Sequence, residues 1–148
     1  MEIRLLTARD TDWERVAVFA ENCSWRAGKS LARRMCAGEF TGWERVIALF
    51  FENRPVGYCT FVEVDCLEDT PYRPYIGYVF IEESHRGQRL CGRLLEAAGE
   101  YARKLGFKQV YLISDHVGLY EKFGFAPCDS RPAPWDGLKT ETIFVKTT

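Results

Sequence analysis

Residues 3–7 alternate apolar and polar as a strand does, and "TDWE" follows them. Thr11 and Glu14 have the spacing of a capping box, which predicts a helix over residues 11–20. Periodicity fails around "NCSWRAGKS". It resumes with Leu31 and Met35 four apart, predicting a short second helix over residues 30–36. "RVIALFF" and "VGYCTFVEV" are β-rich runs on either side of "ENRP", the pattern of an antiparallel hairpin. "YIGYVFI", residues 75–81, is apolar but too short to span a membrane, and reads as a central strand.

Leu90, Leu94, Ala98, Tyr101 and Leu105 recur at steps of three or four and mark one face of a long helix. Arg103 and Lys104 suit its negative end, and Gly106 is placed to stop it. "QVYLIS" then reads as a short buried strand parallel to residues 75–81, because a helix separates the two. "HVGLYEKF" predicts one further short helix ended by Gly124, and "TETIFVK" a closing strand. The order predicts a mixed α/β (α+β) sheet rather than a doubly wound one, in a single domain over residues 1–148.

Composition narrows the function. The chain is 47% hydrophobic and 28% charged, an ordinary globular balance. A net charge of -1 gives no general case for nucleic acid or an anionic membrane as partner, so any basic site must be local. The start has no apolar stretch of signal-peptide length, and no run of about 18 apolar residues occurs, so a cytoplasmic protein is expected. The six cysteines form no C-x-x-C pair and cluster with no histidine. Reduced, mostly buried thiols and no metal site are expected.

The local basic site is "HRGQRLCGRLLE", residues 85–96, where a loop enters the long helix. A helix start offers backbone N–H groups without partners, and its dipole adds roughly half a positive charge. Gly87 and Gly92 let the main chain approach an anion, and Arg86 and Arg89 supply charge-assisted hydrogen bonds of about 1.5–3 kcal/mol each. A diphosphate cradle is the functional expectation; a plain turn with solvated arginines is the alternative. "GKS" at 28–30 is no Walker A loop, because Cys23 stands where glycine is needed, and G-x-G-x-x-G is absent.

A second stretch, "SDHVGLYEKFGF" at 114–125, completes a pattern. "IRLLTARD", then R-G-x-x-x-x-G-x-L-L after a strand, then Y-E-K-F-G-F about thirty residues on, resemble the GNAT superfamily of acetyl-CoA-dependent N-acetyltransferases over nearly the whole chain. The resemblance implies a mostly antiparallel central sheet with a splayed parallel strand pair, flanked by about four helices. It implies that Val79, Phe80 and Ile81 pair with the pantetheine arm. It further implies that the amides of Arg86, Gly87, Gln88, Arg89, Leu90, Cys91 and Gly92 hold the pyrophosphate of acetyl-CoA. The family has glycine where Arg89 stands, and glycine or sometimes alanine where Cys91 stands, and Gly92 comes one step late. The cradle survives if Arg89 and Cys91 keep helical or near-helical dihedrals, and Arg89 is expected to reach a phosphate.

Acetyl transfer needs a neutral amine, a donor for the carbonyl oxygen and an acid for the departing thiolate. Tyr120 stands where the family's tyrosine lies beside the sulfur, and a phenol is protonated at neutral pH. It is the expected catalytic acid. For the base, His116, Glu63, Glu82 and a water chain stay open, with a polar cap the plainer role for His116. The amine acceptor, a small molecule or a peptide, falls to residues 22–28, "DCLEDTPYRPY" and "DSRPAPWDG". There Glu68, Asp69 and Glu83 with Trp25, Tyr72 and Trp135 form either a cation-attracting wall or a solvated rim. A homodimer is left open, and the rival to an enzyme is a non-catalytic binding module for CoA or acyl-CoA.

Overall fold

The computed structural model describes residues 1–148. Its backbone runs β1 (Glu2–Leu6), α1 (Asp12–Asn22), α2 (Ala27–Cys36), β2 (Arg45–Phe51), β3 (Arg54–Val62), β4 (Tyr75–Ile81), α3 (Leu90–Lys104), β5 (Gln109–Ser114), β6 (Ala126–Ala133) and β7 (Asp136–Thr147). Short 3-10 turns at Glu83–His85 and Tyr120–Phe123 complete it. The strands form one sheet in the order β1-β2-β3-β4-β5-β7-β6, in which β4 and β5 are the parallel pair. One apolar cluster fills the space between the sheet and α1 and α2, and the other lies beneath α3 on the opposite face.

The mixed, mostly antiparallel sheet is as expected, but three α-helices flank it rather than about four. The predicted fourth, over "HVGLYEKF", is reduced to the 3-10 turn because Gly118 adopts φ +84°. His116 therefore lies outside any helix, two residues past the end of β5. The capping box is absent too: Thr11 is itself helical and makes no side-chain cap. Asp10 closes the turn instead, its carboxylate accepting from the Thr7 amide at 2.7 Å and its carbonyl from Trp13 N at 3.2 Å. The hairpin is tighter than "ENRP", since Phe51 pairs with Arg54 and only Glu52 and Asn53, both at positive φ, make the turn.

Strand β6 has no counterpart in the sequence reading. Its Pro127 and Pro132 argue against a strand, yet it is an edge strand, where a missing N–H costs no ladder bond. The thiols also differ from expectation. Only Cys59 is buried, Cys23 and Cys91 are half-buried, and Cys36, Cys66 and Cys128 are exposed.

Two features position the site. Register between β3 and β4 puts Thr60 against Gly77 and Tyr58 against Phe80, so Tyr78 and Val79 together face one residue, Cys59. Tyr78 takes φ +48° to make this bulge. Beyond it β4 leaves β5, with which it pairs only through Tyr75–Tyr111 and Ile76–Leu112. At its other end α3 closes as expected around Gly106 (φ +93°), with Phe107 N donating to Ala102 O and Gly106 N to Arg103 O, both at 3.0 Å.

Candidate active site

The wedge between the diverging ends of β4 and β5 is a cavity of about 780 Å³. Residues 77–81 form one wall, Leu112–Ser114 the other, and the edge of β4 toward β5 carries no strand partner past Ile76. Val79, Phe80 and Ile81 thus lie along an open backbone edge, although the Ile81 carbonyl is already taken by Nε of Arg86 at 2.8 Å. Trp25 stacks on Phe80 with centroids 6.0 Å apart and 8° between planes, and caps the α1 side.

At the cavity's end the chain passes through Arg86, Gly87, Gln88 and Arg89 into α3. The six successive N–H groups of residues 87–92 find no acceptor in the protein. Gly87 at φ +82° and Arg89 at φ +60°, ψ +24° turn these amides into a concave run, the form in which backbone binds anions. Arg89 is thus left-handed, not near-helical, whereas Cys91 lies within α3. Arg86 braces the turn through Ile81 O and Glu83, at 3.4 Å, while Arg89 and Arg93 make no protein contact through their charged groups.

Gly92 is closely packed on its side-chain side. A Cβ there would stand 2.8 Å and 3.1 Å from two ring carbons of Phe123, so this glycine lets α3 pack against the turn that carries Tyr120. The two sequence stretches are in direct contact. Tyr120 is buried, edge-on to Phe125 at 6.3 Å, and lines the cavity with a hydroxyl that has no protein partner. Burial, then the nearby Cys91 and Cys59 thiols, push its pKa well above that of a free phenol.

A family model described as the acetyltransferase (GNAT) family matches residues 10–125. The chain belongs to the GNAT acetyltransferases. No curated protein sequence matches it, but solved structures share the fold at low identity. The crystal structure of aminoglycoside 6'-acetyltransferase type Ii has a TM-score of 0.77 at 16% identity, over 99% of this chain and 97% of that one. An aminoglycoside 6'-N-acetyltransferase complexed with coenzyme A gives 0.76 at 15% over the same shares. A GNAT family acetyltransferase from Elizabethkingia anophelis with acetyl-CoA bound gives 0.68 at 14%, again over 99% and 97%.

Among the base candidates in this GNAT chain, none of the carboxylates named from sequence reaches the cavity. Glu82 pairs with Arg54 at 3.1 Å and His85 at 3.4 Å, and Arg54 holds its carboxyl below the usual range. Glu63 is exposed and lies outside the wedge. His116 does line it, its ring 6.4 Å from that of Tyr120. The expected acceptor wall divides: Trp25, Glu83 and Trp135 border the wedge, Glu68 and Asp69 border a separate groove, and Tyr72 donates to Asp129 at 2.7 Å. Two carboxylates that sequence reasoning passed over, Asp115 and Glu141, line the wedge instead.

Proposed function

We propose that the protein is an acetyl-CoA-dependent N-acetyltransferase that moves the acetyl group to a primary amine by direct attack within a ternary complex. The observation that carries it is that the run of six unpartnered amides adjoins, at Arg86 and Cys91, the cavity that holds the open edge of β4 and the free Tyr120 hydroxyl. The amides of residues 87–92 suit a diphosphate, with the free guanidinium of Arg89 beside them. The edge at Val79 and Phe80 suits the amide-bearing pantetheine arm, which has donors and acceptors of its own. Neighbours of the same fold crystallised with coenzyme A and acetyl-CoA support that assignment.

When bound, acetyl-CoA supplies an activated acyl carbon and a thiolate leaving group. Tyr120 holds a proton for that thiolate, and its raised pKa keeps the phenol loaded across the neutral range. Small-molecule acceptors fit best, since two neighbours of the same fold are named for aminoglycosides.

The test is release of free thiol from acetyl-CoA across a panel of amines, blanked for the exposed Cys36, Cys66 and Cys128. Tyr120→Phe is expected to lower turnover about 100-fold with acetyl-CoA affinity unchanged. Near-normal turnover in that variant would remove Tyr120 from the reaction. Acetyl-CoA binding without thiol release from any amine would make the protein a binding module.

A further inference from the structure

One side chain in the wedge has no role in what precedes. Glu141 on β7 is 7% exposed, lines the cavity, and makes neither a hydrogen bond nor an ion pair. A buried carboxylate without a partner is costly, and no cation of the protein is paired with this one. Arg131 stands opposite it on β6, but its guanidinium goes to Asp129 at 3.0 Å and to the Asp69 carbonyl at 3.3 Å. Lys139, two residues earlier on β7, is exposed and pairs with nothing.

More negative charge lies alongside it. Asp115 follows Ser114, the last β5 residue, whose β7 partner is Thr142, so Asp115 comes up beside Glu141 at the exposed edge of the cavity. Burial first, and then Asp115, push the Glu141 carboxyl above its usual range, with Lys139 and His116 pulling the other way. The cavity thus has a carboxylate at its rim, a second one sunk beneath it, and aromatic walls in Trp25, Tyr78 and Trp135. A cation with an apolar stem answers all of these at once.

We infer that Glu141 is the seat for the acceptor's ammonium group and takes a proton from it, so that the acceptors are cationic aliphatic primary amines with no carboxylate beside the reacting nitrogen. This rests on the acetyltransferase function proposed above. The protons balance. The acceptor arrives as an ammonium ion and gives one proton to Glu141, which passes it to solvent. The freed lone pair forms the carbon–nitrogen bond as the carbon–sulfur bond breaks. The thiolate takes the Tyr120 proton, and the phenolate is reloaded by the second proton that the nitrogen sheds on becoming an amide.

The experiment compares wild type and Glu141→Gln in the thiol-release assay with 1,5-diaminopentane, phenethylamine, glutamate and methoxyamine. The last is already neutral at neutral pH and needs no proton acceptor. Wild type is expected to use the first two and to refuse glutamate. Glu141→Gln should lose about 100-fold in turnover with phenethylamine, keep its acetyl-CoA affinity within about twofold, and be spared with methoxyamine. The fall in wild-type rate toward acid pH, set by Glu141 under the influence of Asp115, His116, Lys139 and the Cys66 thiol, should vanish from the variant.

Equal rates for variant and wild type with phenethylamine overturn the assignment. So does joint loss of acetyl-CoA affinity, which would mark a structural role. Wild-type turnover confined to glutamate or methoxyamine overturns the seat and leaves acetyl transfer standing, whereas no turnover with any amine removes both.

Discussion

Replacing Gly92 by alanine tests whether α3 and the Tyr120 turn are mechanically joined. The new methyl would lie 2.8 Å from Cε1 and 3.1 Å from Cδ1 of Phe123. Carbon atoms rest at about 3.5–4.0 Å, so the ring or the helix has to give by several tenths of an ångström. Overpacking of this kind costs about 1–3 kcal/mol. Alanine gains about 1 kcal/mol over glycine within a helix, so the single variant should fall between neutral and about 2 kcal/mol less stable. In a Phe123→Ala background the obstacle is gone and only the helix gain remains.

Equilibrium urea unfolding of the four proteins therefore yields a coupling of about 1–3 kcal/mol between positions 92 and 123. Turnover in Gly92→Ala should fall further than acetyl-CoA affinity does, because the displaced ring lies three residues from Tyr120 on the same 3-10 turn. If Gly92→Ala stabilises both backgrounds by the same amount, within about 0.5 kcal/mol, the two motifs are not in contact and the close approach is wrong.

The remaining predictions concern charge and strain. Arg89→Gly should be about 1 kcal/mol more stable than wild type, because glycine relieves the left-handed φ of +60°. Arg89→Ala keeps that strain, and both variants should bind acetyl-CoA about 10-fold more weakly in titration calorimetry. An unchanged dissociation constant would leave the diphosphate to the amides alone. Glu141→Gln should melt higher than wild type at alkaline pH. The folded carboxyl has the higher pKa, so the native state holds more protons than the unfolded chain, and wild-type stability declines as pH rises from the ordinary glutamate value through the folded one. The gap should close toward pH 4, and an advantage that grows in acid would refute the sign.

Much of this architecture is legible in the sequence, for reasons that differ by element. The hairpin of β2 and β3, the central β4 and the long α3 carry strong periodicity and sit in the middle of the sheet, where local preference and burial agree. Strand β6 was hidden because Pro127 and Pro132 are strand breakers everywhere except at an edge, and edge position is a property of the finished sheet. The Tyr120 turn reads as a longer helix in the sequence because nothing local reveals that Gly118 takes a positive φ. In the site, the amides of residues 87–92 were readable from the loop-to-helix order, but the purpose of Gly92 was not, since its neighbour Phe123 is thirty-one positions away. Glu141 left one signal. It stands in phase with Ile143 in "TETIFVK", on the side of an alternating strand that faces the core.

The costs in this structure gather at one place. Four residues other than glycine take positive φ. Glu52 and Asn53 do so because a two-residue hairpin demands it. No turn asks the same of Tyr78 or Arg89: Tyr78 lines the wedge and bends β4 away from β5, and Arg89, in the loop that leads from it into α3, tips successive amides toward a common point. Such conformations cost about 1–3 kcal/mol each and persist where the surrounding fold holds them. Glu141 and Tyr120 add polar groups without partners to the same cavity. A ligand with an anionic tail, an amide-bearing arm and a cationic partner at the far end would offset all of these together. Both ligands together should therefore raise thermal stability by more than either alone, and coenzyme A, which cannot react, with phenethylamine present should shift the melting temperature further than the sum of the separate shifts.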